Sequence, residues 1–164
     1  MSITPPDYSP TALDALTNAL RMMEDAQRHL RDYIASDIGI NITDLTVIGI
    51  VDDLGRLTPK HLASEIAMGT GAVTAVIDRL VKAGYVARIP NPRDRRSVFL
   101  ELTATGTETA TRISDNYRSA AKAALQASPD LGSDDTAEEL ARAAVAITAH
   151  TMDSISACPN VRAA

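Results

Sequence analysis

Residues 57–106 read LTPKHLASEIAMGTGAVTAVIDRLVKAGYVARIPNPRDRRSVFLELTATG, and the punctuation of this stretch decides the fold. Thr58 is a capping residue, Pro59 stands at the first helical position where its missing N–H is harmless, and Leu57 can pack on Leu62 as a hydrophobic staple. The helix so started is expected to end near Ala67. Met68 and Gly69 then make a tight turn, Thr70 caps a second helix, and Gly84 stops that helix after Ala83. Two helices joined by a turn of about three residues containing glycine form a helix-turn-helix. After Gly84 the apolar period changes from helical to two. Residues 85–90 read as a strand, 91–96 as a turn and 97–102 as the returning strand, with Val98, Leu100 and Leu102 on one face. The fold class this predicts is mainly α with a small β-hairpin wing: a winged helix-turn-helix core flanked by long helices.

Projected at about 100° per residue, the helix over 70–83 places Val73, Val76, Ile77 and Leu80 together, facing the core. Its other side presents Gly71, Thr74, Ala75, Asp78 and Lys82, with Ala72 and Arg79 on one flank and Thr70 at the entrance. Small residues on the N-terminal half of an outward face let a helix come close to base edges in the major groove of double-stranded DNA. The plainer reading is an alanine-rich surface of an ordinary helix.

Charge sharpens the contrast. The chain carries −5 overall, which argues against phosphate as a partner, yet residues 78–96 hold six cations against two anions and leave the remainder at −9. Segregation of this kind gives a cationic face on a repelling body and orients docking on DNA; a solvated charged loop is the bland alternative. The tip, Asn91-Pro92-Arg93-Asp94-Arg95-Arg96, makes Arg95 the minor-groove candidate, because its fork is permanently charged and weakly hydrated. Arg93 adds phosphate contacts. Asp78 is unfavourable near phosphate unless paired, and Arg96 at the hairpin base is the expected brace.

Outward from this core, residues 1–10 read as a flexible arm and 11–36 as a long helix with a stripe of Leu13, Leu16, Leu20, Met23, Leu30 and Ile34. Gly39 ends it, and a further helix begins near Thr43 and closes at Gly55. Thr103 caps a helix over 104–127, and a last helix spans roughly 134–156 after Ser128-Pro129-Asp130. The winged core thus occupies 37–103, the C-terminal helices 104–158 and a tail 159–164. Ile113, Tyr117, Ala121 and Ala124 stripe one of these helices, and Leu140, Ala144, Ile147, Thr151 and Ile155 the other. A core this small cannot cover three stripes, so a second copy of the chain is the expected cover, with a monomeric bundle as the alternative.

The stretch from Leu57 to Gly106 resembles the multiple-antibiotic-resistance regulator (MarR) family. The resemblance lies in a helix carrying Val-Thr then Asp-Arg-Leu, a Lys-x-Gly-Tyr exit, an Asp-Arg-Arg wing, and Leu-Thr-x-x-Gly opening the next helix. Thr74, Asp78 and Arg79 fall on its recognition-helix motif, and Asp94, Arg95 and Arg96 on its wing motif. It implies a homodimeric, sequence-specific transcriptional regulator, expected to be a repressor, with the helix over 70–83 in the major groove and the wing over 90–97 in the minor groove of a palindrome. Thr70, Gly71, Ala72, Thr74, Ala75, Arg79, Arg93, Arg95 and Arg96 are the expected DNA contacts. The family also implies an aromatic or lipophilic small-molecule effector in a cleft that Arg21, His29, Tyr33 and Tyr117 could line, although a single His or Tyr on a helix is more often ordinary surface or core. Many members carry Arg or a similar long side chain where Ala75 stands, which shifts readout toward the wing and DNA shape. The family's peroxide sensors use a cysteine in the first helix. This chain's single cysteine, Cys158, reads instead as dimer-interface packing.

Other classes fare worse. One cysteine excludes an internal disulfide and a Cys-cluster metal site, and His29, His61 and His150 lack ligand-spaced companions, so no metal and no cofactor is expected. No Gly-rich phosphate loop or nucleophile-and-base motif suggests an enzyme, and Asp52-Asp53 reads as the polar end of a helix. The opening MSITPPDYSP has no secretory pattern and no window nears 18 apolar residues, so a cytoplasmic protein away from the membrane is expected. The competing functional reading is a winged-helix protein-interaction module without DNA binding.

Overall fold

The computed structural model describes residues 9–92, 94 and 97–157, with side chains described as far as Thr151 except those of Arg93, Arg95 and Arg96. Its elements are α1 (Pro10–Ile38), α2 (Ile42–Leu54), α3 (Pro59–Glu65), α4 (Thr70–Lys82), β1 (Val86–Pro90), β2 (Val98–Leu102), α5 (Ala104–Ala127), a 3-10 turn (Pro129–Gly132) and α6 (Asp134–Ala157). The chain divides into two compact units, one ending at Tyr117 within α5 and one beginning at Arg118.

The first unit is built around the helix-turn-helix. Thr58 caps α3 by accepting from the His61 N–H at 3.2 Å, with Pro59 in the first turn. The apolar positions of α4, Val73, Val76, Ile77 and Leu80, are buried against Leu45, Ile48 and Val51 of α2 and Leu62 of α3 in a single core. Gly84 leaves α4 at φ +81°, the left-handed conformation glycine adopts without penalty, and the chain turns into β1. β1 and β2 pair antiparallel from Val86 opposite Leu102 to Pro90 opposite Val98. Leu57 adds a further bridge, donating to the Leu100 carbonyl at 3.4 Å and accepting from its N–H at 2.8 Å, so the residue expected only as a staple also ties α3 to the wing.

Several boundaries differ from the sequence expectation for identifiable reasons. Asn41, not Thr43, caps α2: its side chain accepts from the Asp44 N–H at 2.9 Å. Gly69 occupies the cap of α4, and Thr70 is its first helical residue. The left-handed residue of the helix-turn-helix turn is Ala67 at φ 50°, not a glycine. The stripe of α1 divides in two: Ile34 is fully buried and Leu30 packs on the core, while Leu13, Leu16, Leu20 and Met23 are 43–58% exposed. Ile113 of α5 is also buried in its own unit, so that part of its stripe is already covered. In the second unit Leu140 and Ile147 of α6 are exposed.

Gly106, in the first turn of α5, packs against the exit of α4. A Cβ placed there would lie 2.0 Å from the Tyr85 carbonyl oxygen. Thr103 completes the junction by donating to the Gly84 carbonyl at 2.5 Å and accepting from the Gly106 N–H at 3.0 Å.

Candidate nucleic-acid interface

With Val73, Val76, Ile77 and Leu80 turned inward, α4 exposes Thr70, Gly71, Ala72, Thr74, Ala75, Asp78, Arg79 and Lys82, the outward set that helical periodicity assigns. The Thr74 hydroxyl donates to the Thr70 carbonyl at 2.8 Å, within its own helix. Around it, Gly71, Ala72 and Ala75 add no side-chain atom beyond Cβ.

Asp78 and Arg79, consecutive on α4, reach opposite neighbours. Asp78 accepts from Arg88 of β1, Nη2 to Oδ1 at 2.6 Å; the expected partner, Arg96, lies outside the described residues. Register explains the contact: Arg88 stands opposite Leu100 on the face of the hairpin that packs inward, and its long stem carries the guanidinium to the helix. Arg79 grips Asp44 in the first turn of α2, with Nε at 3.1 and 2.9 Å from Oδ1 and Oδ2 and Nη2 at 2.6 Å from Oδ1. Asp44 also accepts from Asn41 Nδ2 at 2.8 Å. The Asp44 side chain is 7% exposed and that of Arg79 46%. Hydrogen bonding to Asp44 raises the Arg79 guanidinium above its ordinary value; burial opposes the shift, and the charge of Asp44 adds to it. Sequence reasoning placed Arg79 among the DNA contacts and passed over Asp44. The signal available was an acid three residues after an Asn at a helix start, the pattern of a capping pair.

The strands deliver the two ends of the basic tip side by side, with the Asn91 N–H donating to the Ser97 carbonyl at 3.3 Å and Asn91 Nδ2 to Ser97 Oγ at 2.7 Å. Arg93, Arg95 and Arg96 lie outside the described residues, as does Cys158. The base of the wing is held by Arg56, which pairs with Glu101 and lies 5.7 Å from the Phe99 ring centroid.

The residues expected around an effector do not converge on a described cleft. Arg21, His29 and Tyr33 are exposed on α1, and Tyr117 is exposed at 38% on α5. One cleft of about 190 Å³ is lined by Val51, Asp52, Gly55, Arg56, Glu101, Leu102 and Thr107. A second, of about 530 Å³, lies between the start of α3 and the hairpin, against Thr58, Pro59, Lys60, Asn91, Asp94, Ser97 and Val98.

Two helices set by a tight turn, the second with its small-residue face outward and a two-stranded wing pinned to its flank, define a winged helix-turn-helix protein. Residues 40–98 match the MarR family model, a span of 59 of the 164 residues, so this core is similar to the MarR family. Among relatives, an uncharacterized HTH-type transcriptional regulator of Bacillus subtilis, YcgE, is 38% identical over 107 residues, which span 65% of this chain and 64% of that protein. The chain thus matches less than two thirds of that relative's length. Apo wild-type MarR from Escherichia coli shares the fold at a TM-score of 0.61 and 22% identity, covering 87% of this chain and 98% of the other. A mutant E. coli MarR complexed with operator DNA aligns at a TM-score of 0.60 and 22% identity, covering 86% and 99%. No single helix among the described residues is long and apolar enough to cross a membrane.

Proposed function

We propose that this chain is a homodimeric, sequence-specific DNA-binding transcriptional regulator that acts by occluding a promoter. The observation that carries the reading is the outward face of α4: Thr70, Gly71, Ala72, Thr74 and Ala75 leave the helix slim enough to enter a major groove, beside a hairpin whose tip supplies three arginines. A face meant only for water has no need to be stripped of long side chains. The E. coli relative solved with operator DNA supports the same use of the fold. A small-molecule effector enters this reading through family likeness alone.

The test is selection of bound duplexes from a random pool, followed by the double substitution Arg95→Ala, Arg96→Ala. Each protomer then loses up to two phosphate-proximal cations, so the slope of log affinity against log salt is expected to flatten by about 2 per protomer, with a steep loss of affinity at low salt. Unchanged affinity and slope would remove the wing from the mechanism. A wild-type protein that retains no duplex at low salt would favour the protein-interaction module instead.

Dimerisation is the second half of the proposal. Leu13, Leu16, Leu20 and Met23 line one side of α1 and are uncovered, as are Leu140 and Ile147 of α6. Rows of large apolar residues at helical spacing call for a cover, and a second copy gives a regulator two equal reading heads for a palindrome. Leu16→Glu with Leu20→Glu is expected to convert a dimer to a monomer in analytical ultracentrifugation, with helix content retained. A wild-type monomer at micromolar concentration, or a variant that still sediments as a dimer through this face, would reject it.

A further inference from the structure

The anion Asp44 lies almost wholly inside the protein, yet it is joined to the helix that presents the reading face. Its two oxygens take three hydrogen bonds from Arg79 and one from Asn41, and no buried polar side-chain atom among the described residues is left without a partner. The Arg79 fork is planar and bidentate, so it fixes angle as well as distance. It links residue 44 in the first turn of α2 to residue 79 near the end of α4, two elements otherwise joined only by side-chain packing. A compact apolar contact between helices permits small rotations and slides. A forked ion pair with its carboxylate also held by a cap resists both.

We propose that Asp44 is a positioning residue for DNA recognition, setting the pose of α4 through Arg79, and that Arg79 serves the interface by being held and not by touching phosphate. The inference rests on the DNA-binding reading above and reassigns Arg79 from the direct contact expected of it. Electrostatics makes the two roles separable. Asp44 is negative, so if only the field at the DNA mattered, neutralising it would strengthen binding. A positioning role predicts the opposite sign.

The experiment uses the full chain and the duplexes that wild-type protein selects from the random pool, with affinity measured across a range of salt. Asp44→Asn, which keeps shape and removes the charge, is expected to weaken binding about tenfold, within the span of couplings between contacting residues, with the salt slope unchanged. Arg79→Gln should match it, and the double variant should be no weaker than either single one. Arg79→Lys keeps a point charge but not the fork and should also lose affinity. Circular dichroism and thermal melts recorded alongside show that each variant is folded at the assay temperature. Asp44→Asn binding as tightly as wild type or tighter would overturn the proposal. So would Arg79→Lys behaving as wild type, or Arg79→Gln flattening the salt slope by about 1, the mark of a lost phosphate contact. Wild-type protein that selects no duplex removes the DNA-binding reading itself, and this inference with it.

Discussion

Gly106→Ala is expected to destabilise the protein by about 3 kcal/mol, the upper range for forcing extra volume into a well-packed site. The added methyl group would meet the Tyr85 carbonyl oxygen at 2.0 Å, the Tyr85 carbonyl carbon at 3.0 Å and Leu102 Cβ at 3.2 Å. Two of these are main-chain atoms, which no rotamer change can move aside. Relief requires the start of α5 to shift away from the exit of α4, and that shift would break the Thr103 hydrogen bonds to Gly84 and Tyr85. A chain of this size should lose roughly 6–12 °C in melting temperature for such a change. Urea and thermal unfolding of the variant give the measurement, and a melting temperature within a degree or two of wild type would show that the junction is looser than the geometry says.

Leu100→Ala is the second large effect, with an expected loss of about 3–4 kcal/mol. Leu100 is fully buried, lies opposite Arg88 in the hairpin, and exchanges backbone hydrogen bonds with Leu57. Truncation removes methyl groups from a core that α2, α3 and α4 share, and those helices are pinned to one another too firmly to close the gap. The loss should register in urea unfolding midpoints, with Val98→Ala as a milder control on the partly exposed end of the same strand. Equal losses for the two would mean that the base of the wing is no better packed than its tip.

Much of this architecture was written in punctuation. Thr58 with Pro59, Gly84, Thr103 and the change of apolar period after Gly84 each carry a local steric or hydrogen-bonding reason, and the structure places an element boundary at each. The inward and outward faces of α4 followed from periodicity alone. What escaped was non-local. Nothing near residue 44 announces a partner at 79, since an ion pair between two helices leaves no spacing to read. Likewise only the register shows that Arg88 reaches Asp78. Ala67 in a left-handed conformation gives no compositional hint, because alanine is not among the residues that favour it. Periodicity shows the stripe of α1 but not which end the protein's own core covers; that depends on where α2 folds back, and Gly39 sets that point.

The neighbouring residues Asp78 and Arg79 act as a two-sided bracket, one arm fastened to the hairpin and the other to α2. A rod held from both flanks has little freedom to roll about its own axis. Under the proposed function, any adjustment of grip on a duplex would carry the whole lobe along as a rigid body, and if two copies assemble as proposed, the distance between their lobes is the quantity left open to tuning.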